Sequence, residues 1–222
     1  MALSLPESRL ESQRRASAKP SKWPDWHQQT CVCIASGPSL TAEQLTMVHS
    51  YRKYGAMTLR AIAINDCGLR RNLPLAAPWA DILYAADQRW WRFYKPAFTG
   101  LRISGEPVKD VETIPLTMLA RQEPMPREPG SVVSGDHSGF QALGLALTLG
   151  ATRIILLGYD CGGNKRNCHE NREPQFKSEP PFDQWTAKYN QVPARWPHVE
   201  IINCSPQSRI SAFPKTEIRE VL

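Results

Sequence analysis

The feature that most constrains this chain is the way its apolar runs end. Cys31-Val32-Cys33-Ile34-Ala35 passes straight into Ser36-Gly37-Pro38-Ser39-Leu40, and a helical pattern follows. Ser134-Gly135-Asp136-His137-Ser138-Gly139 likewise opens the helix-like run Phe140 to Gly150, which leads into the strand-like Arg153 to Asp160. A buried strand that stops at Gly and Ser and hands over to a helix leaves backbone N–H groups without intrahelical partners. Such groups attract anions. Two junctions of this kind predict a phosphorylated ligand, a nucleotide in the first instance, met by amides at Gly37 to Leu40 and around Ser138.

The rest of the chain alternates in the same way. Apolar runs predict strands over Val32–Ser36, Met57–Asn65, Ala80–Ala86, Leu101–Ile103, Arg153–Tyr159 and Val199–Asn203. Helical patterns begin at Thr41 and end near Tyr54, and cover Ser138–Leu149 and Phe182–Tyr189. Thr41 with Gln44 three positions on reads as a capping box. This alternation predicts an α/β fold, a single Rossmann-like, doubly wound and mostly parallel sheet with helices on both faces. At 222 residues one domain suffices. Residues 1–25 read as a flexible basic arm and 26–222 as one nucleotide-binding domain. The polar, aperiodic stretch 162–181 reads as a mobile loop.

A net charge of +6 suits phosphate-bearing ligands or a nucleic-acid partner. No apolar run approaches the ~20 residues of a bilayer span, and the N-terminus has no apolar signal core, which predicts a cytoplasmic protein. Cys31, Cys33 and Cys67 read as small buried apolar residues. Cys161, Cys168 and His169 lack a fourth ligand and paired spacing, so no metal site is predicted there.

Polar residues gather where the predicted strands end: Ser36 to Ser39, Asn65 and Asp66, Asp87, Tyr159 and Asp160, and Asn203 to Ser208. Open α/β sheets bind their ligands at those ends, although solvated loops alone would give the same polarity. The segment Arg89 to Lys95 interleaves cations and rings. It either stacks on nucleic-acid bases or packs Trp90 and Phe93 on the sheet with its cations in water.

Three of these blocks resemble a known superfamily. Ser36-Gly37-Pro38-Ser39-Leu40 resembles the Gly-Asn-Gly-Pro-Ser-Leu loop of bacterial lipooligosaccharide sialyltransferases, and is similar to proteins related to archaeal 6-hydroxymethylpterin pyrophosphokinases. Ser138-Gly139 through Ala142, Ala146, Gly150 and Ile154 to Asp160 resembles their Ser-Gly-helix-Gly-strand-Gly-x-Asp element. Val199 to Ser208, followed by Phe213-Pro214, resembles their final strand and Ser-rich turn. Phage-encoded proteins combine the three blocks in this order, and the chain resembles those over Val32 to Leu222; for them the compartment is the host cytoplasm.

The resemblance implies a transferase, a nucleotide-sugar-dependent glycosyltransferase of sialyltransferase type, with a CMP-sugar or another nucleotide-sugar as donor and no tightly bound cofactor. It implies Ser36, Gly37, Pro38, Ser39, Ser138 and Gly139 as nucleotide contacts, with Asn65 beside them. The family's general base is a histidine beyond the Gly-x-Asp strand, which is His169 by position, with His137 as its rival. Asp160 is grouped with His169 as catalytic. Asp87, His137, Tyr159, Ser205 and Ser208 complete the expected binding set. The family's loop asparagine is Ser36 here, which leaves the donor open. The pyrophosphokinase relatives imply an alternative, phosphoryl transfer from ATP with Mg²⁺ held by Asp87 and Asp160. A non-enzymatic nucleotide- or nucleic-acid-binding module is the third reading. The acceptor, with DNA among the candidates, and homo-oligomerisation stay open.

Overall fold

A computed structural model of the protein describes residues 23–55, 58–69, 75–114, 116–117, 132–162 and 180–222. Residues 1–22 of the predicted arm and 163–179 of the predicted loop, with Cys168 and His169, lie outside the described residues. In chain order the elements are β1 (Thr30–Ile34), α1 (Ala42–Tyr54), β2 (Leu59–Ile64), β3 (Ile82–Ala85), α2 (Gln88–Tyr94), β4 (Leu101–Ser104) and β5 (Glu112–Thr113). Then come β6 (Leu116–Thr117), β7 (Val132–Val133), α3 (Ser138–Thr148), β8 (Arg153–Leu157), α4 (Phe182–Tyr189), α5 (Val192–Arg195) and β9 (Glu200–Asn203).

Seven strands form one sheet in the order β5-β4-β3-β2-β1-β8-β9. Every ladder in it is parallel. β6 and β7 form a separate parallel pair. The alternation of side chains along each strand sorts the interior into two layers. Cys31 and Cys33 lie with Ile154 and Leu156 on the face covered by Phe140, Leu143 and Leu147 of α3. Val32 and Ile34 lie with Ile155 and Leu157 on the opposite face, under Leu45 and Val48 of α1 and Trp90 and Trp91 of α2. A sheet buried on both faces explains why β1 and β8 read as unbroken apolar runs. The expected α/β architecture is therefore present, with helices on both sides. No helix among the described residues is long and apolar enough to cross a membrane.

Local signals account for the element boundaries. Thr41 caps α1 by accepting from the Gln44 amide, and the Gln44 side chain accepts from the Thr41 amide at 2.9 Å. The second strand stops at Ile64 because Asn65 adopts φ 51°, a left-handed conformation that asparagine tolerates better than most residues. Ahead of the sheet, Trp26 is buried and donates its amide to Leu149 O at 2.7 Å, and Trp23 already packs against the core.

The Arg89–Lys95 segment packs differently from expectation. Trp90 and Trp91 are both buried, whereas Phe93 is 48% exposed. The reason is hydrogen bonding as well as shape. The Trp90 indole N–H donates to Asp66 Oδ1 at 2.7 Å and the Trp91 indole N–H to Ala85 O at 2.8 Å. Both indoles thus enter the interior with their polar atoms paired, and Tyr94, one turn after Trp90, lies against it with ring centroids 5.2 Å apart. A helix that buries positions 90 and 91 and leans position 94 on the core turns position 93 outward. Trp90→Phe removes a hydrogen bond to a buried carboxyl group. It is expected to lower the unfolding free energy in urea by about 2 kcal/mol, without changing the denaturant slope.

Candidate functional site

β1 has β2 on one side and β8 on the other. The chain runs outward from β1 through β2, β3, β4 and β5, then returns to add β8 and β9 on the far side of β1. This reversal is a topological switch point. Loops that leave neighbouring strands there diverge to opposite faces and open a crevice outside the carboxyl ends. The loops from β1 and β8, the start of α3 and the turn after β9 all lie at that end of the sheet.

The β1 loop does not present its amides to that crevice. Gly37 N donates to Gly158 O at 2.9 Å, Ser39 N to Asp160 Oδ2 at 3.2 Å and Leu40 N to Gly37 O at 3.1 Å. Pro38 has no N–H. The expectation of free phosphate-binding amides at Gly37 to Leu40 is therefore corrected: the Gly37 and Ser39 amides are engaged by the neighbouring loop from β8, and the Leu40 amide by Gly37 O in its own turn. That partner is more than a hundred residues away in the chain, so the local pattern cannot reveal it. The two loops interlock through their glycines. A Cβ on Gly37 would lie 2.1 Å from Asp160 Oδ2 and 2.3 Å from Gly158 O. Gly158 has φ 68°, and a Cβ on it would lie 2.1 Å from Ala35 O. Gly158→Ala therefore combines left-handed strain with a backbone collision. It is expected to cost about 3 kcal/mol, read as a lowered midpoint in chemical denaturation.

The turn after β9 holds the same loop from behind. Tyr159 N donates to Ser205 Oγ at 2.8 Å, and the Ser208 hydroxyl donates to Tyr159 O at 2.6 Å. Ser205 N in turn donates to Asn203 Oδ1 at 3.0 Å. Ser205 and Ser208 are buried, with their hydroxyls directed to the Tyr159 backbone. Tyr159 is itself buried and donates its hydroxyl to Gly139 O at 2.9 Å, which joins the loop to the first turn of α3.

At that first turn His137 is the helix cap. Its Nδ1 accepts from the Phe140 amide at 3.3 Å, and its ring stacks on Trp185 of α4 at 4.4 Å. Burial pushes the His137 pKa down to about 3, helped by Lys188 and opposed by Asp136. The imidazole is therefore neutral, and its one lone pair is engaged by the cap. Accepting a proton would break that cap and put a positive charge at the positive end of the helix. The Ser138 and Gly139 amides, by contrast, have no hydrogen-bond partner among the described residues, while the Ser138 Oγ accepts from Ala86 N at 3.3 Å. Asn65, half-buried at the end of β2, likewise has a side chain with no hydrogen-bond partner among the described residues.

The two carboxylates proposed for Mg²⁺ are not brought together. Asp87 follows β3 and Asp160 follows β8, three strand spacings away in the order β3-β2-β1-β8. At about 4.8 Å per spacing that is about 14 Å between backbones. Asp87 caps α2 by accepting from Arg89 N at 2.7 Å and pairs with the Arg89 guanidinium at 2.8 Å. Asp160 Oδ2 faces Ser39. No group of three or more His, Cys, Asp and Glu residues placed to hold a metal occurs among the described residues.

Several contributors were not singled out from sequence. Gln141 is buried one turn into α3, accepts from the Tyr84 hydroxyl at 3.0 Å and donates to Ser134 O at 2.6 Å. Trp185 covers His137. Gly158 makes the loop–loop approach feasible, and a glycine directly after a buried strand was the available signal.

No protein-family profile matches the chain, and no curated protein matches it. Among solved structures, the fold is similar to that of the sialyltransferase CstII from Campylobacter jejuni in complex with a substrate analogue, cytidine-5'-monophosphate. The likeness covers 85% of each chain with a TM-score of 0.51 and 10% sequence identity. At that identity it establishes a shared α/β fold.

The depressed His137 pKa has a consequence for stability. Unfolding returns the ring to its ordinary pKa of about 6.5, so the unfolded chain binds the extra proton between about pH 6.5 and pH 3. Stability is greatest above that window and falls as the pH drops through it. His137→Asn keeps a capping side chain without the titration. Between pH 6 and 4 the wild type is expected to lose up to about 1.4 kcal/mol per pH unit more than this variant, measured by urea unfolding at each pH.

Proposed function

We propose that the protein is a nucleotide-sugar-dependent glycosyltransferase of sialyltransferase type, with a CMP-sugar as donor. The observation that carries this reading is the meeting of sequence-distant parts at the switch point. The Ser36–Ser39 loop, Asn65 and the Ser138–Gly139 turn all lie at the carboxyl end of one parallel sheet. The similar fold of a CMP-bound sialyltransferase over 85% of the chain supports it.

Electrostatics orients the donor in the crevice. The phosphate belongs at the start of α3, where the Ser138 and Gly139 amides and the helix dipole favour negative charge. The β1 side offers no free amide from Gly37 to Leu40 and carries the Asp160 carboxyl group, so it suits the neutral nucleoside, with Ser36 and the Asn65 carboxamide as hydrogen-bonding groups. In the transfer step the acceptor hydroxyl oxygen bonds to the anomeric carbon as the bond from that carbon to the CMP phosphate breaks. Helix-end amides stabilise the charge left on the phosphate. His169 takes the hydroxyl proton, a task matched to an imidazole near neutral pH. His137 is not suited to it, because its lone pair holds the α3 cap.

CMP at a hundred times its dissociation constant is expected to add about 2.7 kcal/mol of stability, which raises the melting temperature by about 5–10 °C. EDTA should leave that shift unchanged, and UDP, GDP and ATP should produce less. A shift seen only with ATP and Mg²⁺ would instead favour phosphoryl transfer. His169→Ala should retain CMP binding and lose at least about a hundredfold in transfer rate, the scale of a general base. Undiminished turnover would remove His169 from that role.

A further inference from the structure

Asp160 ends the strand-and-loop block that resembles a catalytic family, yet its surroundings are those of a residue that acts through another. It is 4% exposed, and the bonded oxygen of its carboxyl group is turned to the neighbouring loop. Oδ2 accepts two hydrogen bonds from one residue, the Ser39 hydroxyl at 2.8 Å and the Ser39 amide at 3.2 Å. The Asp160 carbonyl accepts from Arg209 N at 2.8 Å, which anchors it from the β9 side. Gly37 is the third contact. It has no side chain, and the space a Cβ would fill is occupied by that same Oδ2 and by Gly158 O.

The β1 loop needs such an anchor. Gly37 is conformationally permissive, Pro38 has no amide to donate, and Ser36 to Ser39 are each only half-buried. A carboxylate that receives two hydrogen bonds holds it more firmly than a neutral acceptor would. We propose that Asp160 is a positioning residue, which acts through Ser39 to fix the Ser36–Leu40 loop as one wall of the nucleotide crevice. Ordering the wall before the ligand arrives removes an entropic cost from binding. The ligand in this proposal rests on the CMP-sugar reading above; the loop geometry does not.

A double-mutant cycle on the full chain tests it. Asp160→Ala and Ser39→Ala should each weaken CMP binding roughly tenfold in calorimetry, as expected for loss of a hydrogen bond to a charged group. The double variant should be no weaker than Asp160→Ala, since the hydroxyl bond that Ser39→Ala removes is one of the two that Asp160→Ala removes. Asp160→Asn should recover most of the affinity, because its carboxamide oxygen can still accept from Ser39. Amide hydrogen exchange, read by NMR, should speed up at Gly37, Ser39 and Leu40 in both single variants. Additive losses would overturn the proposal. So would Ser39→Ala binding CMP like the wild type while Asp160→Ala or Asp160→Asn does not, which would make Asp160 a direct contact. Unchanged exchange at the three amides in Asp160→Ala would overturn it as well. If the wild type binds no CMP, the donor reading fails and the exchange pattern alone decides the positioning role. If Asp160→Ala does not fold, Ser39→Ala carries the test, and wild-type affinity with unchanged exchange at the three amides in that variant would overturn the proposal.

Discussion

The three residues that leave β8 join the loops at the carboxyl end of the sheet. Gly158 accepts from Gly37 N, Asp160 accepts from Ser39, Tyr159 is gripped by Ser205 and Ser208, and the Tyr159 hydroxyl reaches Gly139 O. One short loop is thus bonded to the β1 loop on one side, to the turn after β9 on the other, and to the first turn of α3 above it. A parallel sheet brings strand ends side by side but does not specify how their loops meet. Here that meeting is specified by a glycine pair that permits backbone contact and by a carboxyl group that directs it.

This arrangement divides the crevice electrically. The β1 side has its amides from Gly37 to Leu40 engaged or absent and a buried carboxyl group behind it. Burial raises the Asp160 pKa, while the two Ser39 hydrogen bonds oppose that shift. The α3 side has amides at Ser138 and Gly139 without a partner among the described residues, and a neutral imidazole in the cap position. A cationic cap would have lost its acceptor for the Phe140 amide and set a positive charge against the positive end of the helix; burial under Trp185 keeps the ring uncharged and avoids the conflict.

Most of the fold was legible in the chain. The capping box at Thr41 and Gln44, the α3 run from Ser138 and the helix Phe182–Tyr189 all follow from local periodicity and hydrogen-bonding chemistry. The sequence pattern runs one or two residues past the ends of β1, β2, β3 and β8. Asn65 illustrates why: its left-handed φ breaks the ladder without changing the polarity pattern. Burial of Trp91 rather than Phe93 was not legible, because it depends on Asp66 and Ala85 supplying acceptors from other elements. The site was legible as a neighbourhood but not in its roles. Ser205 and Ser208 look like binding hydroxyls in a Ser-rich turn, and they face the Tyr159 backbone. Asp87 looks like a metal-side carboxylate, and it caps α2.

Alternation of apolar runs with helical periods determined the parallel α/β sheet and placed the polar clusters at its carboxyl edge, because burial on two faces dictates both patterns. Which amides remain open, which hydroxyls turn inward and which carboxyl group meets which loop were decided only in the tertiary structure. Those outcomes depend on hydrogen bonds between segments as far apart as Ser39 and Asp160, and a donor's partner is set by proximity in space, about which residue type alone is silent.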